Sequence, residues 1–154
     1  MVNVNPLVMP VFFSFAQVRE DLASHLDGLA RDQVWRKIGS ASLGFHLKHI
    51  AGSVDRLTTY LFGGHLSTAQ LQSLREESQA AEDLPDLLRK IHDSLHACEE
   101  KLRGLDPNSL YEPRSVGRQA LPTTVIGLII HLAEHTQRHL GQAITLSKVL
   151  RQPS

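Results

Sequence analysis

Four long stretches of the chain repeat apolar residues at helical spacing, and this periodicity most constrains the fold. The stretches cover about residues 11–29, 41–62, 84–103 and 123–150, and each has the apolar side that a helix buries against its neighbours. Extended character is weak and confined to residues 109–116, where Pro113 interrupts it. The pattern therefore predicts an all-α fold in which four helices pack as a bundle.

Residues with defined roles at helix ends mark the expected boundaries. The break around Gly39 and Ser42 offers an N-cap for the second long helix, and Gly63 follows its last turn. Pro85 stands in the first turn of the third helix, where proline is tolerated, and Gly104 ends that helix.

The connections between the helices differ in length. A short helical piece is expected at residues 67–79, whereas residues 106–119 hold two prolines and a glycine and are expected to form an irregular loop. Loops at the end of a bundle commonly carry specificity. We therefore expect residues 106–119 and the turn at residues 63–67 to shape the mouth of any pocket.

Length and composition restrict the class of protein. A chain of 154 residues is the size of one domain, which we expect to span residues 1–154. Sixteen basic residues balance sixteen acidic ones without a basic run, which argues against a nucleic-acid partner. The richest apolar window, residues 125–132, is too short for a membrane helix, and a single cysteine, Cys98, fits a reducing compartment. We expect a cytoplasmic protein that binds neither nucleic acid nor membrane.

Histidine is frequent and clustered. Five of the nine histidines lie on the second and fourth predicted helices: His46, His49, His131, His135 and His139. On a helical projection, His135 and His139 lie one turn apart along the middle of the apolar side of the fourth helix. Two imidazoles at i and i+4 can bind one metal ion, whereas a buried imidazole nitrogen left unpaired costs about 1–3 kcal/mol. We therefore interpret this pair as metal ligands rather than as packed core residues.

A third ligand has to come from another helix, and the residues themselves leave its identity open. His46 and His49 both lie beside the apolar stripe of the second helix, and the projection slightly favours His46. His131 precedes His135 by one turn. We interpret it first as a packed residue and second as a residue that orients the site from outside the ligand set.

The remaining reactive side chains carry weaker hypotheses. His92 and His96 repeat the i, i+4 spacing but lie beside the apolar stripe of the third helix, so we expect them to be exposed. Cys98 lies on that stripe and is expected to be a core residue rather than a nucleophile. Glu134 and Asp55 turn away from the apolar seams, so the sequence names no general base and the catalytic residues stay unknown.

The segment GFHLKHIAGSVDRLTTYLFG, together with the later HLAEHTQRHLGQ, resembles the DinB-like (YfiT-like) superfamily of metal-binding four-helix bundles. The resemblance covers nearly the whole chain and implies an up-down-down-up bundle with a long crossover. It also implies that His49, which stands just ahead of a small-residue turn at Ala51-Gly52, joins His135 and His139 as a metal ligand.

The superfamily includes metal-dependent hydrolases and thiol-dependent S-transferases, so the resemblance implies a metal-dependent enzyme of one of these types. Three imidazoles leave coordination positions open for water or a thiolate, and zinc and nickel both accept such ligands. The expected cofactor is a divalent metal ion, zinc or nickel, joined in the transferase case by a low-molecular-weight thiol. The expected partners are a small-molecule substrate or thiol and, because relatives often pair, a second copy in a homodimer.

Two other hypotheses compete with the enzyme. In one, the protein is a non-catalytic metal-binding or stress-response domain whose site is structural or vestigial. In the other, the histidines only form hydrogen bonds inside a bundle and bind no metal.

Overall fold

Four long helices form where the apolar periodicity predicts them, and two small hairpins are added to them. The computed structural model describes residues 4–153; residues 1–3 and 154, at the ends of the expected domain, lie outside it. The predicted all-α bundle is confirmed. In chain order the elements are α1 (Met9–Leu26), α2 (Arg31–Trp35), β1 (Lys37–Ile38), β2 (Ala41–Ser42), α3 (Leu43–Leu61), α4 (Thr68–Arg75), α5 (Leu84–Arg103), a 3-10 turn (Pro107–Ser109), β3 (Pro113–Val116), β4 (Leu121–Thr124) and α6 (Val125–Leu150).

Side-chain contacts show that α1 and α6 run in the same direction. Gln137 Nε2, on α6, donates a hydrogen bond at 3.1 Å to the carbonyl oxygen of Ser14, near the start of α1. At the other end, Arg151 Nη2 donates to the His25 carbonyl oxygen at 2.9 Å. The later residue of α1 thus contacts the later residue at the end of α6, so the first and last long helices are parallel neighbours.

The two middle helices, α3 and α5, also run parallel to each other. Lys48 Nζ of α3 lies 3.2 Å from Oε2 of Glu82, just before α5, and further along both helices Ser94 Oγ donates to the Ala51 carbonyl oxygen at 2.7 Å. Parallel neighbours need a long connection, here residues 62–83, which include α4. Because α3 is antiparallel to α6, as the histidine pairs below show, this is the expected up-down-down-up bundle with a long crossover.

The core lies between the four long helices, and each contributes the apolar side that its sequence predicts. An ion pair links α1 to α5: Arg19 donates two hydrogen bonds to the Glu99 carboxylate, both at 2.9 Å. The largest fully buried side chains are Phe15, Leu26, Leu43, Leu47, Ile50, Leu61, Leu87, Ile91, Leu95, Leu128, Leu132 and Leu140.

Residues 106–119 differ from the expected irregular loop. They contain the 3-10 turn and β3, which pairs antiparallel with β4 in the register Pro113↔Thr124 to Val116↔Leu121. Pro113 and Pro122 are compatible with this hairpin because both strands are edge strands, where the missing proline N–H need not break a ladder. Sequence reasoning missed the hairpin because it treated proline as a bar to any strand.

The other observed helix ends differ from the predicted ones by a few residues. The first long helix is Met9–Leu26 rather than residues 11–29, and α4 ends at Arg75 rather than near residue 79. The break before α3 forms a tight β1–β2 hairpin, with Gly39 at φ +67° in its turn. Ser42 then caps α3, since its side chain accepts a hydrogen bond from Phe45 N at 3.1 Å. Within residues 4–153, no helix is long and apolar enough to cross a membrane.

Candidate metal centre

Two pairs of imidazoles face each other across the antiparallel helices α3 and α6. His49 Nε2 lies 2.9 Å from His135 Nε2, and one turn away His46 Nδ1 lies 3.0 Å from His139 Nδ1. The His49 ring also lies 4.3 Å from the His139 ring, measured between centroids. His49, His135 and His139 each offer a ring nitrogen, and these nitrogens lie within 4.8 Å of one another. The three residues could therefore hold one metal ion.

The chemistry of this group fits a divalent transition metal. Zinc binds imidazole nitrogen at about 2.0–2.1 Å, so ring nitrogens as close as those of His49 and His135 can share one ion. Burial, together with the nearby His49, lowers the pKa of both His135 and His139 to about 4. These two imidazoles are therefore neutral near pH 7, which is the form that binds metal.

His135 and His139 lie at the edge of the buried side of α6, where sequence reasoning placed them along its middle. Both are half-buried, whereas Ile129 and Leu140 are each 2% exposed. The difference arises because α6 packs against α1 as well as α3. Its buried side spans both neighbours, and the two histidines occupy the part that faces α3.

A carboxylate that sequence reasoning missed holds the other nitrogen of His49. Glu77, in the linker between α4 and α5, places Oε2 2.7 Å from His49 Nδ1, and Arg56 Nη2 of α3 lies 2.9 Å from its Oε1. Burial by itself would raise the pKa of Glu77, but the hydrogen bond from His49 and the charge of Arg56 hold it below its ordinary value. Glu77 is thus an ionised acceptor, so His49 Nδ1 carries a hydrogen, and in the neutral imidazole that binds metal the lone pair is then on Nε2.

His46 contacts a candidate ligand instead of joining the group. It is 5% exposed, and burial, followed by the charge of His49, lowers its pKa. Its Nδ1 meets Nδ1 of His139, and when His139 donates in this contact its Nε2 carries the lone pair that a metal needs. The structure thus brings together the three histidines that the resemblance implied and puts His46, which the projection favoured, beside them. Metal binding by the three stays a prediction.

His131 takes part in a network at the surface. Its Nδ1 lies 2.6 Å from Glu134 Oε1, and the other oxygen of Glu134 accepts from Arg138 at 2.7 Å. His131, Glu134 and His135 also have a spacing that could hold a metal. The side chains of His131 and Glu134 are 40% and 42% exposed, however, and Glu134 already has two partners. This second group is therefore a weaker candidate than the first.

The other reactive side chains lie where the sequence predicts them. His92 and His96 are exposed on α5. Cys98 is 1% exposed, and burial raises the pKa of its thiol to about 11, so it is a core residue without nucleophilic character. Asp55 is exposed and accepts a hydrogen bond from Gln70 at 2.8 Å. These positions supply no general base.

A cavity of about 440 Å³ lies between the β1–β2 hairpin and α6; His46 lines it, whereas the three candidate ligands do not. Other side chains in the wall are Ser40, Arg138, Gln142, Thr145 and Leu146. The expectation that residues 63–67 and 106–119 shape the pocket mouth is wrong for this cavity, because neither segment lines it. They lie at the far end of α3, where Arg114 Nε donates to the Leu61 carbonyl oxygen at 2.8 Å.

Comparisons with known proteins agree with this fold. The family model described as the DinB superfamily matches residues 14–143, a range that includes His49, His135 and His139. A crystal structure of a protein from Streptococcus pneumoniae superposes with a TM-score of 0.67 at 15% sequence identity, covering 97% of this chain and 92% of that chain. At that identity the likeness shows the fold alone. No curated protein matches the chain.

Proposed function

The chain belongs to the DinB superfamily, and from that premise we propose that it is a metal-dependent enzyme whose divalent ion, zinc or nickel, is held by His49, His135 and His139. The observation that carries the proposal is the convergence of three imidazole nitrogens within 4.8 Å, two of them on residues with a pKa of about 4. The reaction is a thiol-dependent S-transfer or a hydrolysis. The substrate is a small molecule, and in the transferase case a low-molecular-weight thiol is the second reactant.

Two features favour a catalytic site over a structural one. Structural zinc sites are usually closed by four protein ligands, whereas the group found within the described residues has three. The candidate ligands are also only half-buried, and the cavity of about 440 Å³ has the size of a small-molecule site. A three-ligand site that His46 separates from such a cavity is compatible with a metal-dependent enzyme.

A divalent ion, when bound, would supply Lewis-acid activation of a thiol or of water. The residues of the chain supply binding and orientation. His46 lies between the cavity and the candidate ligand His139, and it contacts that ligand directly. Arg138 contributes a positive charge to the cavity wall, although its guanidinium already pairs with Glu134.

Turnover by metal-loaded protein tests the proposal. Untagged protein is loaded with zinc or nickel and assayed with low-molecular-weight thiols plus alkylating electrophiles, and separately with ester and amide substrates. We expect turnover in one of the two assays that disappears with a chelator and in His135→Ala. The matched control is His92→Ala, because His92 is an exposed histidine on α5 that belongs to neither group of possible metal ligands, and its loss should leave the rate unchanged. Metal-loaded protein that turns over nothing would contradict the enzyme and favour the non-catalytic metal-binding domain.

A further inference from the structure

We propose that Glu77 is a positioning residue for the candidate metal ligand His49. Arg56 holds Glu77 in place, and Gly52 leaves the space that the two side chains occupy. The proposal rests on the metal site proposed above. Its basis is one continuous contact path, in which His49 Nδ1 lies 2.7 Å from one oxygen of Glu77 and Arg56 Nη2 lies 2.9 Å from the other.

Helix α3 presents the three participating residues on one side. His49, Gly52 and Arg56 stand at i, i+3 and i+7, a spacing that stacks them along the same helix face. Glu77 and Arg56 are only 5% and 8% exposed, so each charge depends on the other for compensation.

Gly52 leaves the space that this ion pair occupies. A Cβ atom at position 52 would lie 2.7 Å from Arg56 Nη1 and 2.9 Å from Glu77 Oε1. The chain does not turn at Ala51-Gly52, where the resemblance implied a small-residue turn, because α3 continues without a break to Leu61. The small residue instead allows two charged side chains to pack against the helix beside His49.

The carboxylate determines which nitrogen of His49 is free. An ionised carboxylate can only accept, so the contact with Glu77 requires a hydrogen on His49 Nδ1. A neutral imidazole has one such hydrogen, and its Nε2 then carries the lone pair that a metal needs. Without Glu77 the hydrogen is free to occupy Nε2, and metal binding must then move it to Nδ1, which weakens the affinity.

The linker that carries Glu77 is fixed by contacts that do not involve the metal site. Just before Glu77 in the sequence, the Glu76 carbonyl oxygen accepts a hydrogen bond from Lys48 Nζ at 2.9 Å. Further along the linker, the Glu82 carbonyl oxygen accepts one from Trp35 Nε1 at 2.7 Å. These contacts hold the linker on both sides of Glu77 independently of the candidate ligands.

Zinc affinity of a double variant tests the proposal. Arg56→Met combined with Glu77→Ala removes both charges together, which avoids leaving a buried arginine unpaired. Loss of such an outer partner typically weakens metal binding about 10–100-fold, and we expect that loss in a competition titration with a chelator. The matched control is Glu76→Ala, because Glu76 is the half-buried neighbour of Glu77 in the same linker and its carboxylate accepts a hydrogen bond from Gln72 rather than contacting His49. Unchanged affinity in the double variant would overturn the proposal.

Gly52→Ala separates positioning from stability. The added methyl group displaces the flexible tips of Arg56 and Glu77, while alanine favours the helix more than glycine does. We expect weaker zinc binding without a lower urea midpoint of the metal-free protein. Gly141→Ala in α6 is the control, since within the described residues its Cβ would meet nothing within 4 Å. Equal zinc affinities in the two variants would overturn the role of Gly52.

The tautomer of His49 in the metal-free protein gives a readout that does not depend on metal binding or turnover. Long-range ¹H–¹⁵N NMR should show the Nδ1–H form in the wild-type chain and its loss in the Arg56→Met, Glu77→Ala variant. A wild-type His49 protonated on Nε2 would overturn the proposal. Because this result involves no catalysis, failure of the proposed enzyme and failure of the positioning role can be told apart.

Discussion

At the scale of single residues, the partner of each imidazole decides its role. His49 meets a carboxylate through Nδ1 and faces His135 through Nε2, whereas the contact found for His46 is with His139 alone, through Nδ1. The two residues are one turn apart on α3, and the sequence gives both the same residue type and similar positions beside the apolar stripe. Only the tertiary contacts separate a candidate ligand from a residue that supports one.

Alanine substitutions at these two positions should have different effects on metal binding. His49→Ala removes one of three ligands and should abolish stoichiometric zinc. His46→Ala removes only the partner of His139 Nδ1 and should keep one zinc per chain with about 10–100-fold weaker affinity. Elemental analysis and a chelator competition measure the two quantities. If His46→Ala loses the metal and His49→Ala keeps it, the ligand assignment is wrong.

At the scale of elements, the sequence predicts what local patterns determine. The α5 boundaries, Leu84–Arg103, agree with prediction because Asp83 caps the helix, Pro85 lies in its first turn and Gly104 ends it. The β1–β2 hairpin was missed because two-residue strands leave no alternation to detect.

The two residues that support the candidate ligand His49, namely Arg56 and Glu77, were only partly predictable. Arg56 lies on the same side of α3 as His49 and is a charged residue on a helix that is otherwise largely buried, which indicates a need for an acidic partner. That partner could not be found from the sequence, because Glu77 lies in a linker whose path depends on contacts with α3 and Trp35. Residue spacing carries no information about such contacts.

The N-terminal end of α3 makes a testable packing contact. A Cβ atom at Gly44 would lie 2.7 Å from the ring of Trp35, whose position is fixed by its hydrogen bond to the Glu82 carbonyl oxygen. We expect Gly44→Ala to destabilise the protein by about 1–3 kcal/mol, because a fixed ring cannot yield cheaply. Urea unfolding measures the change, with Gly141→Ala as the control that should match or exceed wild-type stability. Equal stabilities of the two variants would contradict this packing.

At the scale of the whole molecule, the neutral imidazoles make the stability of the metal-free fold depend on pH. The pKa values of His135 and His139 are about 4 in the folded chain, whereas a histidine in the unfolded chain titrates near 6.5. Between these values the unfolded state binds more protons. Acidification through this window therefore favours unfolding, and above about pH 6.5 the two residues add no pH dependence.

Urea unfolding of the metal-free protein at pH 7.5, 6 and 5 tests this dependence. We expect the midpoint to fall between pH 6.5 and pH 4, and to fall less steeply in the double variant His135→Gln, His139→Gln, which has no imidazole to protonate at these positions. The same slope in both proteins would show that other groups cause the pH dependence.

The central claim is that the chain binds one divalent ion through three histidines, and metal content tests it most directly. Protein purified without a histidine tag is analysed for bound elements and then titrated with zinc and with nickel at pH 7.5. We predict one equivalent of zinc or nickel per chain in the wild type and none in His135→Ala. A wild-type protein that contains no metal and binds neither ion would contradict the claim, and its histidines would then be hydrogen-bonded residues of an ordinary helical bundle.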